Sequence, residues 1–266
     1  SGKLSFFGAS GRPVTFMVAS LAFLIFVSPV LFYLKEKSEL LTTDTPKPKL
    51  SFGPTFKETA QDLIHIKKYP GVLTYLISYY FFADASLTVL LFGSLYLEIV
   101  GGFNDAQKTL VGIISLAFTI LGALLANKIV KVSGSLKKSL SSVLLLESIL
   151  LAVFAFSTNR ILFMAMAILN GFAFGLLFSL SRAFYSRLIP RDQQGKFFGI
   201  YVLFERFASV LGPLIWSLTA IGFAFLGNVT KYRFAMLSLA VLVAVSFFIF
   251  RLVREPNILF QEKLAA

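Results

Sequence analysis

The chain has 266 residues, of which 57% are hydrophobic and only 14% charged. A soluble domain carries about 25% charged residues, so this composition excludes an ordinary soluble enzyme and a disordered chain. The net charge is +12, and the absence of cysteine removes disulfides, zinc–thiolate sites, iron–sulfur clusters and cysteine nucleophiles.

Seven apolar runs follow in chain order, at residues 14–34, 71–97, 109–127, 139–157, 161–181, 197–226 and 234–250. About 20 helical residues cross a hydrocarbon core of about 30 Å. None of the runs alternates polar with apolar residues as a barrel strand does. The predicted fold class is therefore all-α: a polytopic membrane protein with seven transmembrane helices. Residues 1–34 hold the first helix, and residues 35–69 form a polar linker with Pro46, Pro48 and Pro54. Residues 70–255 hold six closely connected helices, and residues 256–266 form a tail. This layout reads as the last helix of one bundle followed by a whole second bundle. The chain begins with Ser and shows no signal-peptide pattern there, which implies a processed or partial chain.

The basic residues set the orientation. Eighteen of the 25 Lys and Arg residues fall in the linker, in the segments after the third and fifth runs, and in the tail, against six on the other side. By the positive-inside rule the N-terminus lies outside and the C-terminus in the cytoplasm. The +12 charge is then a topology signal with attraction to anionic lipid, and the partner is a lipid bilayer rather than nucleic acid.

Ionisable groups at mid-membrane cost about 2.5–3.5 kcal/mol on insertion scales, so they persist where they face a cavity or a partner. Asp84, Glu147, Glu205 and Arg206 are four such groups. Glu205 and Arg206 diverge by about 100° around a helix, so each is expected to find its partner on another helix. Tyr75, Tyr79, Tyr80, Asp84 and Thr88 form a polar stripe, which suits either a cavity wall or a neighbouring helix. Ala167, Gly171, Gly175 and Ser179 form a small-residue face for close helix packing, with Asn170 beside it. Pro213 should kink the sixth helix, and Pro29 the first.

Other signals carry little. His65 has no partner His or Cys for a metal site. Ser135–Lys138 fits S-x-x-K without its companion motifs. Asn228-Val229-Thr230 is a glycosylation sequon squeezed between two helices. No nucleotide-binding, hydrolase or metalloprotease motif occurs, and no paired carboxylates stand at catalytic spacing. The chain is expected not to be an enzyme and to need no cofactor and no metal.

Several motifs now converge. Gly122–Lys128 with Gly134, Lys137 and Lys138 resembles a degenerate form of the G-x-x-x-D-R-x-G-R-R loop of the major facilitator superfamily, with Asn127 at the acidic position. Ser181-Arg182 with Leu188-Ile189-Pro190, Phe197-Phe198-Gly199-Ile200-Tyr201 and Leu211-Gly212-Pro213-Leu214 resembles the S-R-x-x-x-x-x-L-I-P…F-F-G-x-Y…L-G-P-L signature of the vacuole-effluxer family. That family comprises the autophagy-related amino-acid permeases and their prokaryotic relatives. Tyr79–Ala85 resembles its Y-F-x-Y-x-D-G in helix seven, with Ala85 in place of Gly. Residues 23–37 resemble its sixth helix.

The resemblance implies that the last six helices are the C-terminal bundle of a major facilitator fold. It implies a permease or effluxer of small solutes such as amino acids, working by alternating access. Asp84, Tyr79, Asn170, Glu205, Arg206 and Glu147 are then pathway candidates. Asn127, Lys128, Arg182, Arg187 and Arg191 are candidates for cytoplasmic gate loops. A facilitator places its site between two six-helix halves. The missing half must therefore come from the same chain, a separate chain or self-association. The competing expectation is a non-transporting membrane scaffold that binds a partner helix or lipid. The lack of cysteine and the compact loops favour a prokaryotic plasma membrane over a vacuolar one.

Overall fold

The computed structural model describes residues 20–29, 69–190 and 193–253. The chain divides into two compact units, Ser1–Thr55 and Phe56–Ala266. In the first unit the described residues form helix α1, Ser20–Pro29. Residues 14–19 and 30–34 of the first apolar run lie outside the described residues, as do nearly all of the linker, including His65, and the whole of the tail.

The second unit is built from helices α2 (Pro70–Ile99), α3 (Asp105–Ser133), α4 (Leu136–Phe156), α5 (Arg160–Leu188), α6 (Gln194–Phe207), α7 (Leu211–Gly222) and α8 (Asn228–Arg251). No strand occurs among the described residues. Taking α6 and α7 as one span, six segments are long and apolar enough to cross a membrane. These match the second to seventh apolar runs.

Several helix ends are set by caps rather than by the edge of the apolar run. Asn104 caps α3 and forms a reciprocal capping box with Gln107. Gly134 ends α3 in the left-handed conformation at φ 69°, and Ser135 caps α4 directly after it. Asn159 caps α5 through the amides of Ile161 and Leu162. Helix α3 therefore continues six residues past Asn127, and α5 seven residues past Ser181. This corrects one expectation. Asn127, Lys128, Arg182 and Arg187 are not loop residues but exposed positions on the last turns of α3 and α5. Arg191 lies outside the described residues.

Hydroxyl and carbonyl groups hold the bundle together across helices, where hydrocarbon offers no competing water. Ser78 of α2 and Ser246 of α8 exchange bonds: Ser78 Oγ donates to Ser246 O at 2.9 Å and Ser246 Oγ to Ser78 O at 2.8 Å. Ser148 of α4 donates to Ala240 O of α8 at 3.0 Å. The small-residue face of α5 packs on α3 with near backbone contact. Thr119 Oγ1 donates to Gly171 O at 2.9 Å, and Ser115 Oγ donates to Ala167 O at 3.3 Å. A Cβ on Gly171 or Gly175 would collide with the α3 backbone, at Ser115 and Thr119 respectively.

The sixth run is not one helix. It breaks at Ala208–Val210, between α6 and α7. Pro213 has no N–H for the carbonyl of Ser209, and its ring crowds that carbonyl. The break falls on that turn, so the expected kink is a full interruption. The sixteenth of the 29 residues Gln194–Gly222 is Ser209, so the interruption lies at mid-depth.

Candidate functional site

Helix α2 carries the polar stripe, and most of that stripe faces neighbouring helices. Tyr75, Tyr79, Asp84 and Thr88 are buried, and Tyr80 is half-buried. Toward the basic end of the bundle a hydroxyl cluster ties α2, α5 and α6. Tyr75 donates to Ser181 O at 2.8 Å, and Ser181 Oγ lies 2.7 Å from Tyr75 Oη and 3.0 Å from Tyr201 Oη. Tyr201 stacks on Tyr79 with centroids 4.2 Å apart, and Tyr185 donates to Phe197 O at 2.8 Å. Four tyrosines thus close this half of the bundle with both rings and hydroxyls.

One turn nearer the centre, Tyr79 Oη donates to Glu205 Oε2 at 2.8 Å. Glu205 has the interhelical partner its sequence position demanded. Arg206 does not. Its side chain is exposed on the bundle surface and makes no ion pair among the described residues. It is the thirteenth of the 29 residues of its span, within about 3 Å of the middle. An arginine facing acyl chains at that depth is costly. Such a position favours a polar cavity or another protein surface over lipid at this face.

Asp84 is the fifteenth of the 30 residues of α2 and is fully buried. Neither carboxyl oxygen has a hydrogen-bond partner among the described residues. Its carboxyl carbon lies against Gly212, 3.2 Å from where a Cβ there would stand. The backbone amides of Val210 and Gly212, at the N-terminus of α7, are directed at it without reaching hydrogen-bond geometry. Only glycine fits, because a side chain at residue 212 would also strike Thr88 Oγ1 and Asp84 O.

Glu147 and Asn170 stand apart from this group, on α4 and α5. Both are buried. Asn170 Nδ2 donates to Met166 O on its own helix at 2.7 Å, while Asn170 Oδ1 and Glu147 Oε2 have no partner among the described residues. No bond among the described residues joins either to Asp84 or Glu205. The stripe and motif residues that the structure adds to the group are Ser181, Tyr201, Val210 and Gly212. All but Val210 sit in the signature segments, so the signal was present in the motifs rather than in charge or hydropathy.

At the basic end, Lys137 Nζ donates to Val253 O, fastening α4 to the end of α8. At the opposite end Lys108 pairs with Glu98 and Asp105, and Arg233 donates to Ser157 O at 3.1 Å.

A helical membrane bundle with one span interrupted at mid-depth, a buried carboxyl at the interruption and a charged pair beside it has the construction of a transporter bundle, where discontinuous helices form the site. Comparison with known proteins narrows the class. The chain belongs to the family described as Vacuole effluxer Atg22 like, whose model matches residues 8–257. It is 26% identical over 170 residues to the uncharacterized MFS-type transporter YxiO of Bacillus subtilis, covering 62% of this chain and 38% of that protein. It is 26% identical over 175 residues to autophagy-related protein 22 of Yarrowia lipolytica, covering 62% of this chain and 28% of that protein. For the same-named protein of Vanderwaltozyma polyspora the figures are 25% over 168 residues, 59% and 32%. The matched segment is thus well under half the length of each of these relatives.

Proposed function

We propose that this chain supplies the C-terminal half of a major facilitator-type secondary transporter that moves amino acids across a membrane by alternating access. The observation that carries the reading is Arg206, exposed at mid-depth of its span and next in sequence to Glu205. A zwitterion presents a carboxylate and an ammonium group a few bonds apart. Adjacent guanidinium and carboxyl side chains on one helix offer a charge for each. Glu205 is held in place by Tyr79, while Arg206 is free to turn toward a solute.

The remaining half-site belongs to a facing bundle, from the same polypeptide, a separate one or a second copy. In this reading the basic end, with Lys128, Lys131, Arg182 and Arg187, faces the cytoplasm. Residues 35–69 are the cytoplasmic linker, and the membrane is a prokaryotic plasma membrane. Asn170 and Glu147 support the bundle wall away from the solute.

The test is amino-acid flux in proteoliposomes holding the full-length protein. Arg206→Ala and Glu205→Gln should each lower flux at least tenfold, the loss of about 1.5–3 kcal/mol for a charge-assisted contact. Unchanged flux in both variants would sink the reading and leave a scaffold.

A further inference from the structure

We propose that Asp84 is a proton-binding site whose charge sets the α6–α7 interruption. In the ionised form the carboxylate holds the amides at the start of α7. In the acid form it takes one proton from water and lets them go.

Three observations carry this. Asp84 is fully buried, and both its oxygens lack a partner among the described residues. No basic side chain pairs with it among the described residues. Its carboxyl is aimed at the start of α7, a 12-residue helix, where Leu211 and Gly212 have no intrahelical acceptor for their amides. The positive end of a helix dipole favours the anion, and burial without a counter-ion favours the acid. Two opposed influences on one carboxyl are what a reversible proton site requires.

The surrounding charges do not override this balance. Helix α7 carries no titratable side chain. On α2, Tyr80 is half-buried one turn before Asp84, and Glu98 lies in the last turn. On α6, Glu205 is bound to Tyr79 and Arg206 is exposed. On α8 the charged residues Lys231, Arg233 and Arg251 lie near the two ends. Those of α5, Arg160, Arg182 and Arg187, lie in its first turn and last two turns. On α3, Asp105 and Lys108 sit in the first turn, and Lys128 and Lys131 in the last two turns.

The interruption begins two residues after Arg206. A change in how α7 is seated therefore reaches Glu205 and Arg206 directly. Proton uptake at Asp84 would be coupled to solute release or capture on the other side of the break. This role in coupling rests on the transport reading above, whereas the proton site itself does not.

The test uses the full-length protein in proteoliposomes, with Ser209→Cys placed in the break, where the native side chain is exposed. The rate of maleimide modification is followed between about pH 5 and 8 and divided by the rate for the same cysteine with Asp84→Asn, which cancels thiol ionisation. The neutral amide mimics the acid form. The expected ratio is near one at low pH and falls about threefold or more as pH rises and the carboxylate closes the break. Asp84→Glu should keep the response with a displaced midpoint. A ratio that stays constant across the range would overturn the proposal. Should Asp84→Asn fail to fold, the same cysteine is compared between Asp84 and Asp84→Glu. A displaced midpoint then supports the site and an identical one overturns it. Flux is not the readout, so failure here leaves the transport reading standing, and failure of flux leaves this result standing.

Discussion

Replacing Gly175 by Ala adds a single methyl group, and the α3–α5 seam gives it no room. The new Cβ would stand 2.8 Å from Thr119 C and 3.0 Å from Ala123 N, both backbone atoms, where ordinary contact is about 3.5–4.0 Å. The helices must part locally by roughly 1 Å. The neighbouring bond from Thr119 Oγ1 to Gly171 O, at 2.9 Å, is then stretched past hydrogen-bond length. Overpacking costs about 1–3 kcal/mol and the lost bond about 0.5–1.5 kcal/mol. The better helix propensity of Ala returns about 1 kcal/mol. The net is about 2 kcal/mol of destabilisation, or a melting point lower by roughly 4–8 °C for a bundle of this size. The assay is a thermal melt in detergent, scored by monodisperse protein on size exclusion. Gly112→Ala is the internal control, since nothing lies within 4 Å of its added methyl. It should match or slightly exceed the parent. Equal melting points for the two variants would refute the argument that backbone contact across α3 and α5 holds the bundle.

Ser181→Ala removes the hydroxyl shared by Tyr75 and Tyr201 and should lower stability by about 1–3 kcal/mol, read in the same melt. Arg206→Ala should change stability by no more than about 0.5 kcal/mol, because the side chain is exposed and makes no ion pair among the described residues, while it abolishes most flux. A large loss of stability would mean that the residue is structural. Pro213→Ala restores a donor for Ser209 O and should slow backbone hydrogen exchange at residues 208–212 about tenfold, as measured by mass spectrometry. Unchanged exchange there would separate the break from the proline.

The number and order of the spans in the second unit were legible, because each crosses the membrane as a long apolar run and loops can lie only between runs. Helix ends were less so. An apolar run stops at Asn127, but a helix stops where a residue such as Gly134 takes the left-handed conformation. The placement of Asn127, Lys128, Arg182 and Arg187 in loops failed for that reason. The tyrosine stripe of α2 could be seen, yet hydropathy does not say whether a hydroxyl meets water or a serine on another helix. Its answer depended on Ser181, more than 100 residues away. Adjacency told that Glu205 and Arg206 diverge. It could not tell that one turns inward to Tyr79 and the other outward. Pro213 announced a distortion, while the carboxyl that faces the resulting break came from a different helix.

The outward arginine also bears on how the protein is made. Helices leave the insertion machinery one after another, and α6 presents a full positive charge at the level of the acyl chains. In the transport reading, a bundle whose Arg206 is not yet covered by a facing bundle is poorly solvated by lipid. Assembly and residence in the bilayer are thereby tied together. In that reading a bundle without its companion differs from the finished assembly in the exposure of one side chain.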